Sequence, residues 1–179
     1  TRLFHWIFAA LFISAFFIAN AIDDDSALFS IHMLIGLTMS FIVILRLIWG
    51  VIGSRWARFS SFMLNPKDLF RYSKEVLFSK TKRVAGHNPA SSWSALIMFA
   101  LTFGLGITGY MMATDFHKHL VKEIHEIFSL SFVAIVGLHI AGVMYHSLRH
   151  RDALGMSMIH GKKDALPNTP GLKNQHLFA

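Results

Sequence analysis

The sequence predicts an all-α, polytopic membrane protein, a bundle of four transmembrane helices, and three observations predict it. Of the 179 residues 54% are hydrophobic, above the apolar share of an ordinary soluble domain. The apolar residues gather in four runs, 3–22, 27–53, 93–113 and 124–148, each long enough to cross a hydrocarbon core of about 30 Å as a helix. The cations avoid these runs: fifteen of the seventeen Lys and Arg fall at the N-terminus, at the end of the second run, between the second and third runs or in the tail. By the positive-inside rule the N-terminus, the loop 54–92 and the C-terminal tail are then cytoplasmic.

The first run, with Arg2 before it and Ala19-Asn20-Ala21 near its end, has features of a secretory leader. It is long for one and carries His5, so it is read as a retained span. The chain opens on Thr1, and a short native N-terminus is expected to precede it. Residues 23–26 join the first two spans, so short a link that the two helices must be antiparallel neighbours. Asp23, Asp24 and Asp25 there face the outside. Within the loop 54–92, Asn65 reads as an N-cap and Pro66 as the first residue of a short helix. Leu69, Phe70, Ser73, Val76 and Leu77 form its apolar stripe, opposed by Lys67, Arg71, Lys74 and Glu75, as in a helix lying on the membrane surface. The connection 114–123 is a short polar outer loop. The domain reading is a membrane domain over 1–163 and a cytoplasmic tail over 164–179, interfacial at first and then poorly ordered.

There is no cysteine, so disulfides, iron–sulfur clusters, thiolate haem ligation and covalent haem attachment are excluded. Histidine carries the chemistry instead, because an ionisable side chain inside a span is costly and points to function. His5 lies about 25 Å from the outer end of its helix at Ile22, and His139 lies about as far from the start of its helix near Lys122. His32 and His125 both lie within about two turns of the outer surface. His125 and His139 are fourteen residues apart, which advances a helix by about 1400°, within about 40° of whole turns, so both leave one face about 21 Å apart. A lone histidine would as readily be a hydrogen-bonded packing residue. Two depth-matched pairs, His32 with His125 and His5 with His139, are what two stacked, non-covalent b haems with bis-histidine ligation require.

Other residues fit that reading less specifically. Ala9, Gly36, Ser129 and Gly142 follow the four histidines by three or four residues, where a small side chain lets a flat porphyrin approach, although small residues are common at membrane helix contacts anyway. Arg46 follows His32 by fourteen residues and so shares its face about 21 Å lower, level with the inner pair. There it can hold a haem propionate through a bidentate fork. Arg2 and Arg149 lie at the same depth and are further haem contacts, and Lys118 or Lys122 could serve the outer haem. His146 points within about 20° of His139 but roughly 10 Å nearer the cytoplasm. It is either a polar helix-end residue or part of an inner quinone pocket. His87, His117, His119, His150, His160 and His176 lie in loops or the tail and read as solvated.

The motifs Arg2-Leu3-Phe4-His5-Trp6, His32 with Gly36, Arg46-Leu47-Ile48-Trp49-Gly50, Arg58-Phe59-Ser60-Ser61-Phe62 with Pro66 and Tyr72, Gly86-His87-Asn88-Pro89, Thr108-Gly109, His125-Glu126, His139-Ile140 and Met158-Ile159-His160-Gly161-Lys162-Lys163 follow one another in a familiar order. That order resembles the bacterial cytochrome b561 family, which includes the cytochrome b subunits of nickel-iron hydrogenases. The resemblance covers nearly the whole chain up to Lys163. It implies a four-helix core binding two b haems, with ligands on the first, second and fourth helices, and electron exchange between membrane quinone and a partner at the outer face. Hydrogenase-associated members have an additional helix for which this chain has no clear span, which favours a periplasmic cytochrome c or another reductase over a hydrogenase subunit.

The expected function is therefore a di-haem electron-transfer protein of the bacterial inner membrane, relaying electrons between a periplasmic redox partner and the quinone pool. Lipid, quinone or quinol and the periplasmic protein are the expected partners, with a second copy of the chain as a further candidate. Nucleic acid is not expected, since the formal charge of +7 gathers on one membrane face. An alternative is an autonomous oxidoreductase such as a superoxide:quinone oxidoreductase; whether the chain is an enzyme in its own right is left open. A histidine-based metal transporter would instead cluster its ligands at one midplane site, whereas these histidines fall in two layers.

Overall fold

The structure, a computed structural model, describes residues 2–23, 25–54, 57–78, 88–114 and 116–150. Asp24, His87, Asp115, His160, His176 and the expected tail lie outside the described residues, as does the side chain of Lys118. Among the described residues five helices follow in order, α1 (Arg2–Ala21), α2 (Phe29–Ile52), α3 (Pro66–Phe78), α4 (Pro89–Ala113) and α5 (Lys118–His150), with a 3-10 turn at Phe59–Ser61 before α3. Four of them, α1, α2, α4 and α5, are long and apolar enough to cross a membrane. The all-helical, four-span fold expected from the sequence is the fold observed, and the chain is a multi-pass membrane protein.

Two spans start earlier than hydropathy alone suggests, and each has a local cause. Helix α4 begins at Pro89, not at 93, because Asn88 caps it. The Asn88 side chain accepts from Ser91 N at 2.8 Å and Ser91 Oγ accepts from Asn88 N at 3.1 Å, a reciprocal box, and Pro89 fills the first position, where its missing N–H costs nothing. Helix α5 begins at Lys118, not at 124, because its polar first turn is helical although not apolar; Val121 N bonds His117 O at 3.1 Å. His117 itself has φ 42°, the left-handed conformation that reverses the chain after Phe116. Asn65 takes the expected capping place before α3, accepting from Lys67 N at 3.0 Å.

Helix α1 packs on α2, α2 on α4 and α4 on α5, while α3 packs on α4. The two short turns lie at one end of the bundle, here the turn end. Arg2, Gly53, Asn88 and His150 lie at the other, the basic end. With no hydrophobic drive between helices in lipid, close contact comes from small residues. A side chain at Gly104 would come within 2.5 Å of the Phe128 ring, and one at Gly106 would collide with Ser40 Oγ. The hydroxyls of Ser40, Thr102 and Ser131 are satisfied within their own helices by the carbonyls four residues back, at 2.8–3.0 Å. Large apolar side chains such as Phe17, Phe41, Ile107 and Leu130 stay exposed, as a lipid-facing surface requires.

On α3 the side turned toward the bundle carries Leu69, Tyr72 and Val76, all half-buried, whereas Phe70 and Ser73 of the expected stripe are exposed. The stripe is therefore rotated: packing on α4 takes Tyr72 and leaves Phe70 and Phe78 outward. Burial pushes the Tyr72 phenol above its ordinary value.

Candidate functional site

The bundle brings the four sequence-predicted histidines together in the expected twos. At the turn end His32 of α2 and His125 of α5 face each other with ring centroids 6.4 Å apart and planes at 68°. Each ring is held from behind. His32 Nδ1 donates to Ala15 O of α1 at 3.0 Å, and Phe29 stacks on the ring at 5.2 Å. His125 Nδ1 lies 2.8 Å from Thr108 Oγ1 of α4. Gly109, next to that threonine, lets α4 lie flat on the imidazole: an added Cβ would sit 3.6 Å from His125 Cε1.

At the basic end His139 of α5 lies near His5 of α1. His5 meets the Trp6 ring edge-on at 5.4 Å. Among the described residues neither imidazole of this pair has a hydrogen bond. Between the layers, seven residues from each α5 histidine, Phe132 is 1% exposed. Its ring packs against Phe12 at 4.9 Å and Phe8 at 6.3 Å, joining α1 to α5 at mid-depth.

The surroundings of these pairs fit a flat, anionic, metal-bearing group. Two imidazoles bound to one metal at about 2 Å per bond hold their ring centres roughly 6 Å apart, and the turn-end pair already stands at that separation. Gly36, one turn from His32, is half-buried, yet a Cβ there would meet nothing within 4 Å. The space a plate would need is open. Gly142, near His139, also has open space but is exposed. Arg46 is 6% exposed: its Nη2 donates to Ala57 O at 3.0 Å, its guanidinium lies over Phe59 at 5.5 Å, and its Nη1 is buried with no hydrogen-bond partner among the described residues. A buried cation with a spare donor is complementary to a carboxylate. Among the described residues no three His, Cys, Asp or Glu side chains gather in one cluster.

A family model described as prokaryotic cytochrome b561 matches residues 1–161. The chain belongs to the prokaryotic cytochrome b561 family. Membership makes it a b-type haem protein of transmembrane electron transfer. Comparison with curated proteins and with solved structures gave no significant match.

The other predicted contacts of this cytochrome b561 family member are placed unequally. Arg2 is exposed at the first residue of α1, and His146 is half-buried on α5 beyond His139. Arg149 is turned toward α3: it donates to Val76 O at 3.3 Å and bonds the Tyr145 hydroxyl. Sequence reasoning assigned no role to three residues of the interior, although Thr108-Gly109 was among the motifs of the resemblance. Thr108 stands behind His125, Phe132 separates the histidine layers, and Trp93 near the basic end of α4 has a buried Nε1 with no partner among the described residues. Thr108 was the one with a signal, since it and His125 are equally far from the turn at Phe116 and His117.

Proposed function

We propose that the chain holds two non-covalent b haems, one with His32 and His125 as axial ligands and one with His5 and His139, and relays electrons between a periplasmic redox partner and membrane quinone. The observation that carries this reading is the 6.4 Å approach of His32 and His125, with a second pair, His5 of α1 and His139 of α5, at the opposite depth. Bound there, a haem b held by two imidazoles would supply one-electron redox chemistry. Arg46 would hold a propionate at the basic end, with Arg2 as a further cation at that level. Gly36 and Gly142 would leave room for the plates, and Phe132 would keep water out of the layer between them.

The cation distribution supports a cytoplasmic basic end in the bacterial inner membrane. The His32/His125 pair then lies toward the periplasm, where a soluble redox protein docks, and the His5/His139 pair lies toward the cytoplasm. Quinone is proposed to react near that basic end, where His146 and Trp93 offer ring nitrogens. The test is a pyridine haemochrome count and a potentiometric titration of the purified protein, followed by addition of a quinol. Two haems b per chain, two one-electron components and reduction by quinol are expected. One haem per chain, or a protein that quinol cannot reduce, would falsify the corresponding half of the reading.

A further inference from the structure

The two nitrogens of an axial histidine have different tasks: one bonds the metal, and the hydrogen bond of the other sets the tautomer and the ring orientation. At the turn end both Nδ1 atoms are engaged. His32 Nδ1 faces the Ala15 carbonyl at 3.0 Å. A carbonyl cannot donate, so this nitrogen carries the hydrogen and Nε2 keeps its lone pair.

His125 faces a hydroxyl, Thr108 Oγ1 at 2.8 Å, which in principle serves in either sense. The hydroxyl has one hydrogen, and the Gly104 carbonyl, one turn back on α4, lies 2.7 Å away. That contact, with the Leu105 carbonyl as a second acceptor at 3.2 Å, takes the Thr108 hydrogen, the usual outlet for a threonine inside an apolar helix. Toward His125 the same oxygen is then an acceptor. His125 therefore also carries its hydrogen on Nδ1 and leaves Nε2 bare. Thr108 is 6% exposed, so water does not compete for the bond.

We propose that Thr108 is a positioning residue of the turn-end haem site: the chain from Gly104 O through the Thr108 hydroxyl to His125 Nδ1 presents His125 Nε2 as the metal ligand and strengthens its electron donation. The proposal rests on the assignment of His32 and His125 as a haem pair. The basic-end pair has no such support among the described residues, so the effect is confined to one haem. A ligand that donates more strongly favours ferric iron, and removing the acceptor therefore raises the potential of that haem alone.

The experiment is a potentiometric titration, followed by haem absorbance, of the purified holoprotein and of Thr108→Val and Thr108→Ser. The component belonging to His32 and His125 is first identified as the one missing from His125→Ala. In Thr108→Val, which keeps the shape and loses the acceptor, the reduction equilibrium of that component is expected to move about tenfold toward ferrous, about 59 mV upward for one electron. Its low-spin ferric resonance should change as well, and Thr108→Ser should return both to the wild-type values. Unmoved components in Thr108→Val, equal movement of both, or a serine variant that behaves like valine overturns the proposal. Should Thr108→Val not accumulate, Thr108→Ala is titrated in its place, with the same two outcomes. If His125→Ala removes no component at all, the ligand assignment fails and this proposal with it, a result distinct from a failure of Thr108 alone.

Discussion

The two histidine pairs use the same side chain at two depths of one bundle, and their surroundings differ in kind. The turn-end rings are locked by neutral acceptors, Ala15 O and Thr108 Oγ1. The basic-end rings have no hydrogen bond among the described residues, and the buried guanidinium of Arg46 lies at their end of the bundle. An acceptor behind a ligand favours ferric iron, while a buried cation nearby disfavours it. Both differences act in one direction. On the proposed ligation the turn-end haem is expected to have the lower potential, the gradient being set by what stands behind two like pairs of histidines.

The strongest way to break this comparison is to remove one ligand from each pair. His125→Ala and His139→Ala should each lose one haem per chain and keep the other, read by a haemochrome count. The component that survives in His139→Ala should titrate at the lower potential. The reverse order would overturn the electrostatic argument while leaving the ligands in place.

A second test fills the open space. A Cβ at Gly36 meets nothing within 4 Å, and a helix interior gains from losing a glycine, so the apoprotein of Gly36→Leu should accumulate normally. The added bulk competes with the porphyrin instead, at a steric cost of about 1–3 kcal/mol, and turn-end haem affinity should fall roughly tenfold to a hundredfold. Gly142→Leu should cost less at the basic end, because Gly142 is exposed and its leucine can turn away into lipid. Equal losses at both ends would remove this distinction between a closed and an open cradle.

Sequence patterns made the bundle legible because lipid imposes length and hydropathy on each span, and because a helix pitch fixes which histidines share a face. The fourteen-residue spacing of His125 and His139 needed nothing more. The starts of α4 and α5 were not legible from hydropathy, since Asn88 and Ser91 and the polar turn after His117 build helix without apolar residues. Thr108 was readable in principle by folding the α4–α5 hairpin about its turn, as Ala15 and His32 lie on either side of the α1–α2 connection. The rotation of α3 was not readable. Its sequence offers two overlapping apolar faces, and only the docking of Tyr72 on the bundle chooses between them.

Arg46→Gln sharpens the comparison from the other end. Neutralising this cation should lower the potential of the basic-end haem by an amount on the order of 1 kcal/mol, roughly 40 mV for one electron, without moving the turn-end component. Potentiometry of the variant checks both. A shift confined to the turn end would place the guanidinium's influence in the wrong layer.

The smallest expected effect lies at the edge of the basic end, where α3 is tied to α5. Val76 O is among the last four carbonyls of α3, which have no partner within the helix. It accepts from the Tyr145 hydroxyl at 2.9 Å and from Arg149 Nη1 at 3.3 Å, with the Arg149 guanidinium 5.6 Å from the Tyr145 ring centre. Tyr145→Phe removes the donor to Val76 O and the hydroxyl that accepts from Arg149, but leaves the cation bonded to Val76 O near a helix C-terminus, a favourable place for it, and leaves the ring on which it rests. The loss should therefore be only about 0.5–1 kcal/mol, visible as faster amide exchange in α3 with both haem potentials unchanged. A moved basic-end potential would instead couple this strap to the His5/His139 site and give the less supported of the two pairs a supporting contact of its own.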